Sequence, residues 1–284
     1  MSKPKYFEHP CYKLMFQQGL IDLMCIIINC FITAYLAYVG SMFCTHPTLQ
    51  YIAGALSTGG WTSQCLSCVF IAMNRCITFF GKNLDDMLFG GLKIYIWMGL
   101  VVVYGAFFAI FTPPITFSSP AIMWFFDPFF TIPENVLPEV DHKAFFNWPA
   151  AYNNMALLGS LGLIYTVLIA LLFLKRLENS VYKETQIKVN LQTCLAFAEC
   201  QIQVTIQASI ICFLNIIPAF IFVFNQFIPT DEVFIYLCLV LWHASNGGAG
   251  LVYLILNQSM RQDILGLVGM KKPVQPARTI SRST

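Results

Sequence analysis

The sequence predicts an all-α fold, a polytopic bundle of six transmembrane helices. Three observations carry this. Hydrophobic residues make up 57% of the 284 and charged residues only 11%, against ~25% charged for a soluble domain. Six stretches are long and apolar on every face, as a bilayer span of ~20 residues demands. All 16 Lys and Arg except Lys143 fall on one side of those stretches, as the cytosolic bias of basic residues in short loops requires. The same numbers exclude a disordered chain. A net charge of +2 with no basic stripe excludes nucleic-acid binding.

The spans are expected at about 16–43, 51–75, 93–112, 150–175, 200–226 and 232–257, within a transmembrane domain covering 1–270. The first contains one acid, Asp22. The second and third contain no charge before Arg75 and after Lys93. The fourth is charge-free up to Lys175. The fifth begins near Glu199 and carries an interior Pro218. The sixth holds His243 beside Trp242. Lys3, Lys5, Lys13, Arg75, Lys82, Lys93, Lys175, Arg176, Lys183 and Lys188 flank one face, together with the basic residues after the sixth span. Both termini are therefore expected in the cytosol. After Asn257, Met260, Ile264, Leu267 and Val268 share one face of a short amphipathic helix, which would lie in the membrane plane. The Pro-, Ser- and Arg-rich stretch 271–284 reads as a disordered cytosolic tail.

Eleven cysteines do not make a disulfide framework here. Most fall inside spans and read as small buried hydrophobes. Cys65-Leu66-Ser67-Cys68 has metal-like spacing but no second pair, so no metal and no cofactor are expected. No catalytic motif is present, and no enzyme is expected.

Asp22 lies nine residues past Lys13, roughly 13 Å into its span at helical rise. A carboxyl at that depth needs partners, and Gln64 and Asn246 are the candidates for a buried polar cluster or ion site. Trp61, Trp242 and His243 are candidates for the floor of a ligand pocket. A buried His is also a common structural hydrogen-bonder. The loop 112–149 interleaves seven prolines with Trp124, Phe125, Phe126, Phe129, Phe130, Phe145, Phe146 and Trp148. It either lids such a pocket or lies in the aromatic belt at the headgroups.

His9-Pro10-Cys11-Tyr12-Lys13-Leu14-Met15-Phe16, followed by Gly19-Leu20-Ile21-Asp22, resembles nematode serpentine receptors of class T. Cys44-Thr45-His46-Pro47, Ala72-Met73-Asn74-Arg75-Cys76 and Trp124-Phe125-Phe126-Asp127-Pro128 extend the likeness over about 10–261. The resemblance implies a seven-helix, G-protein-coupled chemoreceptor in the membrane, a small-molecule ligand and a heterotrimeric G protein as partners. The six spans would be helices two to seven. The family's first helix would precede the His-Pro-Cys-Tyr-Lys stretch, which would then be the first cytosolic loop. With both termini cytosolic, one crossing is missing, so that helix is expected to be absent from this chain.

The resemblance also assigns a switch. In rhodopsin-like receptors an acidic-Arg-aromatic triplet stands where this chain has Asn74-Arg75-Cys76. Arg75 would pair at rest with an acid, Glu199 being the candidate, and swing to a G protein when released. Tyr165 and Tyr253 would face it, and Pro218 would hinge its helix. A snorkelling arginine is the bland alternative. The usual Asn-Pro-x-x-Tyr is replaced by Ala249-Gly250-Leu251-Val252-Tyr253, and the outer loop lacks the cysteine that usually ties it to the bundle. A six-span transporter or channel, or a truncated receptor that does not signal, are the alternatives.

Overall fold

The computed structural model describes residues 9–132, 136, 140–182, 191–227, 232–256, 261 and 265–266. Helix α1 covers Pro10–Tyr38, with a π-helical segment at Ile27–Ile32. It is followed by α2 (Pro47–Phe80), the short α3 (Lys82–Phe89) and α4 (Lys93–Phe111). Next comes an antiparallel hairpin of β1 (Thr116–Ser118) and β2 (Met123–Phe125), with Phe117 opposite Trp124. Helices α5 (Trp148–Tyr182), α6 (Leu191–Phe227) and α7 (Glu232–Leu256) complete the chain. Among the described residues, six helices are long and apolar enough to cross a membrane.

Helix starts follow local chemistry. Pro10 and Pro47 open α1 and α2, where a missing N–H costs nothing because the first turn's donors are unpaired anyway. α1 therefore begins upstream of the hydropathic boundary. The His-Pro-Cys-Tyr-Lys stretch, expected as a loop, is its first turn, with Cys11 buried. The helices also outrun the expected spans at several other ends: α2 extends to Phe80 and α5 to Tyr182.

α2 is the central element. It packs against α1, α4, α5 and α6, and most of its length is buried. Its fit to α4 depends on glycine. A Cβ on Gly59 would meet the Gly105 carbonyl oxygen at 2.6 Å, and one on Gly105 would overlap Ser63 Oγ. Membrane helices use such small residues to bring backbones together. The outward surface is apolar: Val103, Ile110, Phe111, Leu163 and Phe173 are all exposed. In water this would be a defect, and in lipid it is the expected solvent face.

Polar residues are concentrated inside. Gln50, Ser57, Thr62, Gln64, Ser67 and Asn74 on α2 are all 1% exposed or less. This is the reverse of a soluble bundle, and it follows from having hydrocarbon outside.

Candidate functional site

Three groups of buried residues lie along α2, near its start, its middle and its end. Near the start is a cavity of about 40 Å³ lined by Trp61, Trp124, Trp242, Phe126, Phe222 and Pro218, with Ser57, Thr58 and Asn154 among the neighbours. The hairpin forms its roof. Trp124 is 1% exposed and donates from Nε1 to Thr33 Oγ1 at 2.8 Å. The Phe117 N–H donates to Gln50 Oε1 at 3.0 Å, and Gln50 Nε2 donates to Ser41 Oγ at 3.0 Å. Gly54 permits this approach, since a Cβ there would overlap the Ile115 carbonyl oxygen. The early part of the outer loop is thus a lid inserted into the bundle. Of the loop's remaining aromatics, Phe146 and Trp148 sit together at the start of α5, with ring centroids 4.4 Å apart and Trp148 half exposed.

The polar atoms around the cavity are largely engaged with each other. Trp61 Nε1 donates to Asn154 Oδ1 at 2.8 Å, Asn153 Nδ2 donates to the same oxygen at 3.1 Å, and Tyr104 Oη donates to Asn153 Oδ1 at 3.0 Å. What faces the space is ring and methyl surface. Among the described residues that line the cavity, none carries a charge.

Trp61 and Trp242 both reach this cavity, but His243 does not line it. Its ring spans two backbone carbonyls instead, with Nδ1 at 2.7 Å from Leu239 O and Nε2 at 3.0 Å from Asn29 O. The Asn29 carbonyl lies in the π-helical segment of α1. The π-helical segment disturbs the regular i→i−4 ladder and changes which carbonyls find intrahelical donors. Thr33 Oγ1 donates to another carbonyl of that segment, Ile28 O, at 3.2 Å. His243 therefore sits against the backbone and away from the cavity lining. Nothing in hydropathy marks a π segment.

Near the middle of α2, the structure brings Asp22, Gln64 and Asn246 together from three helices. Gln64 Nε2 donates to Asp22 Oδ1 at 2.8 Å and to Asn246 Oδ1 at 2.6 Å. Gln18 Nε2 adds a second donor to Asp22 Oδ1 at 3.1 Å, and Asn246 Nδ2 donates to Trp242 O at 2.8 Å. All three cluster members are 4% exposed or less. The amide of Gln64 occupies the point between the two acceptors. Among the described residues, no group of three or more His, Cys, Asp or Glu is arranged to hold a metal.

At the end of α2, Arg75 is 6% exposed and its Nη2 donates to Asn74 Oδ1 at 2.6 Å. Asn74 Nδ2 donates to Asp85 Oδ1 on α3 at 2.8 Å. The side chains of Glu199 and Tyr253 lie outside the described residues, as do residues 257–260, 262–264 and 267–284, which hold most of the amphipathic stretch and the whole tail. Tyr165 packs against the cluster containing Cys68, Ala72, Cys212 and Ile216. α6 continues through Pro218 without a break, and that ring lies against the cavity. Pro218 is thus a wall residue of the cavity. Sequence reasoning missed Asn74, Asp85 and Thr33; a run such as Lys-Asn-Leu-Asp-Asp after a span looks like any solvated loop.

Comparison with known proteins agrees with this architecture. The family described as "Serpentine type 7TM GPCR chemoreceptor Srt" matches residues 1–276. "Serpentine receptor class T-55" of Caenorhabditis elegans is 23% identical over 257 residues, 90% of this chain and 65% of the relative. The chain therefore spans somewhat less than two thirds of that relative's length. A multi-pass helical membrane protein with a lidded bundle and a match across nearly all its length, the chain belongs to the Srt family of serpentine chemoreceptors.

Proposed function

We propose that this chain is a chemosensory receptor that takes a small, uncharged, largely apolar ligand from the outer side and activates a heterotrimeric G protein at the inner side. The observation that carries this reading is the course of α2. One helix carries Trp61 at the cavity and Arg75 at the other end, 14 residues apart, or about 21 Å at helical rise. A ligand that moves the Trp61 wall acts on a rigid element that also bears Arg75.

Chemistry supports the ligand class. A charged ligand would meet no counter-charge among Trp61, Trp124, Trp242 and Phe222, and its desolvation would go uncompensated. Size supports it too. At about 40 Å³ the space is far smaller than the ~150 Å³ of an apolar cavity that admits benzene. A ligand of odorant size must displace an aromatic wall, and the displacement is the signal. Pro218 on α6 borders the same space, so displacement there tilts the inner half of α6 away from Arg75 and opens a surface for the G protein. Asp22, Gln64 and Asn246 form the polar joint between α1, α2 and α7 that such a movement must shear.

The test is expression in heterologous cells with a G-protein activation readout and a panel of uncharged volatiles. Wild type responds to a subset. Trp61→Ala changes that subset or the half-maximal concentration, and Arg75→Ala abolishes the response at equal surface expression. Ion flux evoked without any G protein overturns the reading in favour of a channel or transporter.

A further inference from the structure

Arg75 has no acid beside it in sequence, because Asn74 stands where an acidic neighbour would be expected. The structure supplies a carboxylate from elsewhere. Asn74 works as a two-way adapter: its carbonyl oxygen accepts from Arg75 at 2.6 Å, and its amide nitrogen donates to Asp85 Oδ1 at 2.8 Å. Asn74 is fully buried, so this amide is held in one orientation and cannot trade its partners for water.

Asp85 is seated by the helix that carries it. Phe89, at the end of α3, is fully buried with its ring 5.4 Å from Trp97. Trp97 in turn packs edge-on against Phe70 of α2 at 4.9 Å and donates from Nε1 to Leu88 O at 3.0 Å. α3 is therefore bolted to α2 and α4. Burial pushes the Asp85 carboxyl above its ordinary value, and the Arg75 guanidinium is the strongest influence drawing it back down. The Asn74 amide thus links the two groups through hydrogen bonds.

We propose that Asp85 helps to restrain Arg75 in the resting receptor, acting through Asn74, so that the position of α3 sets basal activity. The proposal rests on the receptor reading above. Hydrogen bonds in such a chain polarise one another, so a charge at one end strengthens the bond at the other. The outer face of α3 presents Lys82, Asp86 and Met87. A G protein that engages this face and shifts α3 withdraws Asp85 and frees the guanidinium. Asp85 is a positioning residue here, since it acts on Arg75 and not on the partner.

The experiment uses the full chain in cells, reading basal and volatile-evoked G-protein activation against surface expression. Asp85→Asn keeps size and removes charge. It raises basal activity by roughly three- to tenfold, the population shift expected from losing one charge-assisted contact in a two-state equilibrium. Asn74→Asp in the same chain puts a carboxylate directly beside Arg75, so the Asn74→Asp/Asp85→Asn double variant returns basal activity to the wild-type level. A merely structural Asp85 would lower expression and would not be rescued this way. Basal activity of Asp85→Asn equal to wild type, or a double variant as active as Asp85→Asn, overturns the proposal while Arg75→Ala still silences the receptor. Silence of every variant and of wild type, basal and evoked, overturns the receptor reading and this proposal together.

Discussion

Replacing Gln64 by Leu tests the internal joint of the bundle. The change keeps volume and removes one amide that serves two buried acceptors, Asp22 Oδ1 at 2.8 Å and Asn246 Oδ1 at 2.6 Å. A hydrogen bond to a charged partner contributes about 1.5–3 kcal/mol and one to a neutral partner about half that. Side-chain bonds between membrane helices average nearer 0.6 kcal/mol, because the separated helices also find partners. Asp22 keeps its contact with Gln18, which softens its loss. Asn246 retains only its donor role, to Trp242 O. The sum is a destabilisation of about 1–3 kcal/mol, offset by less than ~1 kcal/mol from leucine's extra apolar contact. Reversible unfolding in mixed micelles by increasing SDS fraction measures it. The Gln64→Leu/Asn246→Leu cycle should give coupling of about 0.5–2 kcal/mol, since the two groups touch. A single-variant effect under ~0.5 kcal/mol, or strict additivity in the cycle, would refute the joint.

Three other outcomes are expected. Gly54→Ala places a methyl onto the Ile115 carbonyl oxygen, forcing the hairpin outward; it costs about 1–3 kcal/mol as overpacking does, and shows as a lower melting temperature with a weakened response to volatiles. His243→Phe destabilises by about 1–3 kcal/mol, from loss of the ring's two contacts to the Leu239 and Asn29 carbonyls, and leaves the ranking of ligands unchanged; a reordered ligand profile at normal stability would return His243 to the pocket wall. Asp85 gives a pH signature. Its carboxyl is raised from 3.8 by burial, so the folded state holds that proton more tightly than the unfolded chain does. Its stabilising contribution is complete below about 3.8 and fades as pH rises through the raised value. The melting temperature of wild type relative to Asp85→Asn therefore falls over that rise, and a difference that is flat or increasing refutes the assignment.

The six crossings and the one-sided distribution of Lys and Arg were readable from sequence, because hydropathy and charge act residue by residue. Asp22, Gln64 and Asn246 were readable as a group for the same reason: polar atoms inside a bilayer are so costly that the few present must meet. Tertiary structure alone decided which side of its helix each remaining residue faces. Trp124 is distant in sequence from Thr33, and only the fold of the hairpin joins them. His243 looked identical to a pocket residue until the fold set its ring against the Leu239 and Asn29 carbonyls. Asp85 came into play through α3, a helix of 8 residues whose position depends on Phe89 and Trp97 and on no periodicity of its own. Hydrocarbon selects which segments are buried in the membrane, and packing between segments selects which atoms touch. The first is a property of composition, whereas the second exists only once the helices have met.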